Sequence, residues 1–339
     1  MIKAGLHIVL LFACCAVVKA QTQSDTTWYQ LRFQQTVVTQ YHPGFSAAYS
    51  GANSLQQHEE AQTSLTTTFY TGAKIFRNTF IYFNPEIAGG AGLRRATGVA
   101  GFPNGETFRV GNPKPQIYVA RLFIEKYIPL GMEKSYRGEE YNAVAAYIPE
   151  KYIRLIGGRF AISDFFDNNS FSHDPRTQFL NWSLMGNGAF DYAANTRGYT
   201  WGAVAELKLN KVSLRYAASM VPRTANASNM DPDLKNALAQ QAEADYRWGT
   251  KRKGVIRFLA FMNRADMGVY KNAVALASQN SDTPDVILTR QKGNRKYGFG
   301  VNVEKEISDY AGVFARASYN DGRTETWMFT KLITAFQPG

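Results

Sequence analysis

The sequence predicts an all-β protein, an antiparallel transmembrane β-barrel with long external loops, and three observations predict it. Apolar side chains recur at every second position over segments of roughly ten residues from Trp28 onward. Aromatic residues collect near the ends of those segments, with small residues between them. The connections alternate between short turns and long loops.

The clearest segment runs from Tyr199 to Leu209. Tyr199, Trp201, Ala203, Ala205, Leu207 and Leu209 form an apolar face, against Thr200, Gly202, Glu206 and Lys208. After the tight turn Asn210-Lys211, a second segment sets Val212, Leu214, Tyr216, Ala218 and Met220 against Ser213, Arg215 and Ser219. A third sets Ala242, Ala244, Tyr246 and Trp248 against Glu243, Asp245 and Arg247. A fourth sets Tyr297, Phe299, Val301 and Val303 against Lys296, Gly298, Gly300, Asn302 and Glu304. Weaker segments are 28–40, 64–76, 79–89, 116–128, 152–162, 254–263, 310–320 and 325–336, giving about twelve strands of the ~9–11 residues that crossing a bilayer requires.

A soluble β-sandwich also alternates, but it concentrates its aromatics mid-strand in a dry core. Here Tyr199, Trp201, Tyr246, Trp248, Tyr297, Phe299 and Tyr319 lie near strand ends while Ala and Val fill the middle. That is the distribution expected of aromatic girdles at two lipid interfaces. The turns at 211–212 and 308–309 are short; the connections 90–115, 163–198, 221–239 and 264–290 are long. Residues 231–241 and 270–278 have helical composition and are expected as brief helical turns within external loops. No domain boundary is visible.

Of the 339 residues, 45% are hydrophobic and 19% charged, which excludes a disordered chain. A helical membrane protein is excluded as well: the longest apolar run, Ile8 to Val18, falls short of the ~20 residues of a spanning helix. That run follows Lys3 and precedes Val18-Lys19-Ala20, so residues 1–20 read as a secretory signal peptide cut before Gln21, leaving residues 21–339 as one outer-membrane barrel domain. Both cysteines, Cys14 and Cys15, lie in the signal, so the exported chain has no disulfide framework and no cysteine metal site. Removing Lys3 and Lys19 leaves 36 basic against 27 acidic residues. The basic residues are scattered among aromatics and glycines, which argues against nucleic acid. Lys251-Arg252-Lys253 reads as a charged turn.

Metal and hydrolase chemistry find little support. His42, His58 and His173 show none of the close pairings of a zinc helix. Ser172-His173-Asp174 has the letters of a triad, but neighbours on one chain rarely meet as one, so it reads as a structured loop. No cofactor is expected, and the chain is read as a non-enzyme. Arg32, Arg121, Glu125, Arg159, Glu206, Lys208, Arg215, Glu243, Asp245, Arg247, Arg257, Glu304 and Arg316 fall on the polar faces and give a lumen of mixed charge. Two readings follow: a water-filled pore, favoured because about twelve strands enclose more than inward side chains fill, or a barrel plugged by mutual ion pairs. The segment Asp174–Trp182 mixes planar donors with aromatic faces. That combination binds sugars, and it equally folds an Ω-like loop against a wall.

Several stretches resemble the OprB-like family of carbohydrate-selective porins: Tyr41-His42-Pro43-Gly44-Phe45, Gly51-Ala52-Asn53-Ser54-Leu55, Tyr82-Phe83-Asn84-Pro85-Glu86, Phe102-Pro103-Asn104-Gly105-Glu106, the run Asp174 to Gly188, and Asn320-Asp321-Gly322. The resemblance implies an outer-membrane barrel of about sixteen strands. It would admit small saccharides by passive diffusion, through a constriction of arginine and acidic residues. On that reading Arg121, Glu125, Asp174, Arg176, Asn181 and Trp182 stand nearest the constriction, and the partners are small saccharides and outer-membrane lipid; the oligomeric state is left open. The chain departs from the family in stopping at Gln337-Pro338-Gly339, short of the closing strands. It is therefore expected to be incomplete at its C-terminus, with 31–40 and 326–335 failing to pair fully. The rivals are a general diffusion porin, an outer-membrane barrel enzyme and a secreted sugar-binding β-sandwich.

Overall fold

The computed structural model describes residues 27–51, 54–107, 113–328 and 332–339. The signal segment 1–20 and the Ala52-Asn53 pair lie outside them. Twelve strands form one antiparallel sheet in which each pairs with its successor: β1 (Tyr29–His42), β2 (Glu60–Phe76), β3 (Thr79–Gly90), β4 (Gln116–Pro129), β7 (Tyr152–Phe160), β8 (Thr200–Lys208), β9 (Val212–Ser219), β10 (Leu238–Trp248), β11 (Gly254–Met267), β12 (Gln291–Glu306), β13 (Gly312–Asn320) and β14 (Thr334–Pro338). The remaining two, β5 (Lys134–Arg137) and β6 (Ala146–Pro149), form a separate hairpin within the β4–β7 connection. Among the described residues two α-helices, α1 (Trp182–Met185) and α2 (Tyr270–Asn280), lie in connections. Among the described residues β1 and β14 are not paired with each other, the open seam expected between first and last strands.

The sheet is inside out relative to a soluble protein. Leu31, Phe33, Val37, Leu214, Tyr216, Tyr246, Phe258, Tyr297, Phe299 and Tyr319 are exposed, and Trp201 is 41% open. Residues one step away on the same strands, among them Thr68, Glu206, Glu243, Asp245, Arg257, Asn302, Glu304 and Arg316, are buried. Because successive side chains point to opposite faces, exposed apolar positions and buried charged ones define two surfaces, one suited to hydrocarbon and one turned inward. A sandwich would have buried Leu214 and Tyr246, so that alternative fails.

The connections sort by end. Arg77-Asn78 and residues 209–211, 249–253 and 307–311 turn at one end; residues 43–59, 91–115, 161–199, 220–237, 268–290 and 321–333 connect at the other. Residues 130–151 break the rule, being a long connection at the short-turn end, and they carry the β5–β6 hairpin. Its tip folds back over the inner faces of β1 to β4. Val144 packs beside Tyr82 within a buried cluster that includes Phe80, Phe123 and Tyr127, and Arg137 donates to Glu125 at 2.9 Å.

A bulge in β4 explains why its alternation is weak. Asn84 pairs with Arg121 but Pro85 pairs with Val119, so Ala120 is the extra residue. Pro85 has no N–H to donate, and the irregularity places it where the ladder is interrupted. Outward residues are Ile117 before the bulge and Leu122, Ile124 and Ile128 after it, so the parity flips and Arg121, Phe123, Glu125 and Tyr127 all turn inward.

Four sequence expectations need correction. Residues 325–336 read as one strand, of which 329–331 lie outside the described residues; among the described ones only Thr334–Pro338 pairs, because Trp327 is drawn into the interior, its backbone N–H donating to Asp191 at 3.1 Å and its indole N–H to the Pro222 carbonyl at 2.7 Å. Residues 231–241 are not helical: Leu238 to Gln241 already belong to β10, whose cross-strand pairing outweighs local propensity. Tyr199 is not a girdle residue; it precedes β8, is 8% exposed and directs its hydroxyl to Glu86. Arg159 is outward by register, opposite Leu122 and Trp201, although its guanidinium reaches back to the Val119 carbonyl at 2.8 Å and lies 5.9 Å from the centre of the Tyr199 ring. The brief helix expected at 270–278 is present as α2.

If hydrocarbon faces the exposed side, a charge there is costly. Ala242→Arg, at the middle of β10, should destabilise the assembled barrel by about 2–4 kcal/mol; urea unfolding in lipid vesicles measures this, and an unchanged midpoint would contradict the assignment of faces.

Candidate functional site: an inward-folded constriction

The site begins with a cross-strand row. Arg32 pairs with Tyr70, Asn84 pairs with Arg121, and the β2–β3 register, running through Thr68–Glu86 and Thr71–Phe83, sets Tyr70 beside Asn84. The row Arg32–Tyr70–Asn84–Arg121 thus crosses the inner faces of four strands, and the 161–199 connection folds down onto it. Arg121 makes a two-pronged ion pair with Asp164, Nε to Oδ2 at 2.7 Å and Nη2 to Oδ1 at 2.6 Å, its guanidinium lying 5.3 Å from the centre of the Tyr199 ring. Asp164 is held in turn by the Ala161 N–H at 3.1 Å.

Arg176, on the same connection, spreads its guanidinium over three neighbours. It donates to Glu106 from Nη2 at 2.6 Å and Nε at 2.8 Å, and from Nη1 to Gln34 at 2.7 Å and the Tyr70 hydroxyl at 2.9 Å; Glu86 lies 3.9 Å away. Burial alone would lower its pKa. The hydrogen bond and charge of Glu106 outweigh that effect and hold the pKa above its ordinary value, so Arg176 stays charged. Glu86 accepts from Thr68, Tyr118 and Tyr199. Two arginines, three carboxylates and three tyrosine rings therefore converge at one level.

The other residues expected at the constriction do different work. Glu125 lies deeper toward the short-turn end, bound by Arg137 at 2.9 Å, Arg154 at 2.7 Å and the Tyr82 hydroxyl at 3.0 Å. Asp174 closes its own turn, accepting from the Arg176 N–H at 3.0 Å and the Thr177 hydroxyl at 2.8 Å. Asn181 caps α1 through Ser183 at 2.9 Å. Trp182 sets its ring against Phe102, 5.2 Å between centres, and donates its backbone N–H to the Phe102 carbonyl. These contacts show that Phe102–Glu106 and Asp174–Trp182, far apart in sequence, are two sides of one loop–loop interface. Gly105 is needed there: an added Cβ would sit 2.3 Å from Met185 Sδ and 3.0 Å from the Leu180 carbonyl oxygen.

Farther along, the same connection crosses to the opposite wall. The Asp167 N–H donates to Glu243 at 2.7 Å, and its carboxylate accepts from Asn187 at 2.7 Å, Asn302 at 2.8 Å and Arg316 at 3.2 Å. Ser170 holds Glu304, and Asp191 faces Lys296 at 3.5 Å. Along the wall itself the charges pair sideways: Arg154 with Glu206, Arg215 with Glu206, Glu243 and Asp245, Arg247 with Asp245, and Arg257 with Glu304. All but the Arg247–Asp245 pair, which lies within β10, join neighbouring strands of the wall. Ser172, His173 and Asp174 do not meet as a triad: Ser172 donates to the Leu184 carbonyl and receives Arg316 at 3.1 Å, and burial lowers the His173 pKa against the opposing charges of Asp167 and Asp164. Among the described residues no cluster of His, Cys, Asp and Glu could hold a metal ion.

Of the six residues named from the sequence, Arg121 and Arg176 are brought together at this level; Glu86, Glu106, Asp164, Tyr70 and Asp167, which pair with them or hold the same connection, were not among those named. For Glu86 and Glu106 the signal was present, since both stand in stretches that carry the family resemblance. Asp164 and Asp167 have no local signal, because their partners lie on other elements.

A meandering sheet with a hydrocarbon-facing exterior, a charged inner wall and a connection folded across the lumen defines a porin of the outer-membrane barrel class. The chain belongs to the OprB family of carbohydrate-selective porins, whose sequence profile matches residues 52–334. The fold is similar to that of OprB from Pseudomonas putida, with a TM-score of 0.61 at 13% identity over 93% of this chain and 70% of that one. Salmonella typhi OmpF, solved with daunomycin, aligns at a TM-score of 0.36 and 11% identity over 92% of this chain and 89% of its own. No curated protein matches.

Asp167 pins the connection to the far wall, and Arg316 is fully buried against it. Asp167→Ala, which leaves that arginine uncompensated, should cost about 3–5 kcal/mol and loosen the constriction, raising single-channel conductance. Breaking the exposed Arg252–Asp309 pair with Arg252→Ala should change stability by less than about 1 kcal/mol and leave conductance alone. Equal behaviour of the two variants would show that the connection is not held this way.

Proposed function

We propose that this protein sits in the outer membrane and passes small saccharides by diffusion, selecting them at the level of Arg121 and Arg176. The observation that supports this most directly is the Arg176 fan: a charged planar donor held by Glu106, Gln34 and Tyr70, next to the Tyr70 hydroxyl and close to Glu86. Sugars present hydroxyls that both donate and accept, and ring faces that are apolar. A path lined by guanidinium groups, carboxylates and tyrosine rings satisfies both. Because the wall charges are laterally paired, the lumen offers closely spaced dipoles without one dominant sign, which suits a neutral polyol better than an ion. The long-loop end would face outward and the short turns the periplasm, as in other barrels of this class. Of the six residues expected at the constriction, Arg121 and Arg176 keep that role; Glu125 would act deeper in the path, and Asp174, Asn181 and Trp182 would shape the loop that presents Arg176.

Reconstituted in vesicles, the protein should swell them faster in hexoses and disaccharides than in zwitterionic amino acids of matched size. Equal rates would leave a general diffusion pore. Arg176→Ala, which strips Glu86 and Glu106 of their cation, should raise cation over anion permeability roughly threefold and slow sugar entry; unchanged ratios would place the selecting level elsewhere.

A further inference from the structure

The selecting level has a second wall, and it comes from the opposite end of the barrel. The tip of the β5–β6 hairpin, entering from the short-turn side, reaches the same row that holds Arg121. Arg32 donates to the Glu139 side chain at 2.7 Å and to its carbonyl at 2.9 Å; Asn84 donates to Asn142 at 2.6 Å; and the Tyr141 ring lies 4.5 Å from that of Tyr70. Gln30 adds a bond to the Glu140 carbonyl. Three of the four row residues are therefore held by the hairpin, while Tyr70 and Arg121 are held from above through Arg176 and Asp164. The two inserted elements meet at Tyr70.

Tyr141 differs from its neighbours in the tip. Glu139 and Asn142 are committed to the wall, whereas Tyr141 contacts the wall with its ring and keeps 44% of its surface open. The guanidinium of Arg32 lies 5.8 Å from the ring centre. A flat apolar ring beside a fixed planar donor, packed on Tyr70 whose hydroxyl receives Arg176, is the pairing that covers a pyranose face while hydrogen-bonding its edge.

We propose that Tyr141 is a specificity-determining residue of the channel, an aromatic platform for the ring face of a pyranose, carried to the constriction by the β5–β6 hairpin. The inference rests on the sugar-porin reading and adds to it a contact from the short-turn side. It requires the ring and not the hydroxyl.

The test compares vesicle swelling by the full chain and by Tyr141→Phe, Tyr141→Ala and Tyr141→Leu, in a hexose and in an amino acid of matched size. Tyr141→Phe should retain the wild-type ratio of hexose to amino-acid rates, and Tyr141→Ala should lower it by about threefold or more. Tyr141→Leu preserves bulk against Tyr70 while removing the flat face, so it should match Tyr141→Ala and guards against a loss caused by collapse of the tip. If the wild type prefers the hexose and Tyr141→Leu keeps that preference, the platform is overturned and the sugar-porin reading stands. If the wild type shows no preference, both fall together.

Discussion

The whole structure depends on which solvent lies on which side of one sheet. Strand geometry sends alternate residues to opposite faces, and this chain places large apolar groups on the face left exposed and charged groups on the face that is covered. In water that would be unfavourable throughout. With hydrocarbon outside, each exposed aromatic becomes favourable, and the backbone satisfies itself strand to strand, as the lipid interior requires.

Turning the charges inward creates a second problem, which lateral pairing resolves. Arg215 alone is held by Glu206, Glu243 and Asp245 from strands on both sides, so its charge is balanced without leaving the wall. Charges paired across strands also stiffen the ladder and form a surface on which inserted segments can dock through backbone N–H groups, as those of Asp167 and Ser170 do on Glu243 and Glu304. The lumen is thus narrowed by chain segments from both ends. Phe80, Tyr82, Phe123 and Tyr127 lie under the hairpin in a buried apolar cluster that continues through Phe165 and Phe190 to Phe261 and Trp327.

Strands whose alternation runs unbroken, such as those containing Trp201, Leu214, Tyr246 and Phe299, were legible as a pattern in the amino-acid order, as was the disparity of connection lengths. Legibility failed where the chain departs from regular pairing. The Ala120 bulge reverses parity within β4 and so weakens its alternation; Trp327 interrupts what reads as a continuous final strand; the β5–β6 hairpin is too short to show a period. At the site, Arg121 and Arg176 could be picked out as arginines in suggestive surroundings. That they pair with Asp164 and Glu106 could not be read, because those pairings span 43 and 70 residues of chain.

What the amino-acid order determined by itself is the two-faced sheet and its membrane setting, because period-two alternation is a local property that each strand carries unaided. What only the tertiary structure decided is which side chains of the wall the inserted segments meet. That follows from how far the 161–199 connection and the β5–β6 hairpin fold inward, and the docking of each is set by side chains from strands distant in sequence. No local pattern records such contacts, since their energy exists only once the wall has formed.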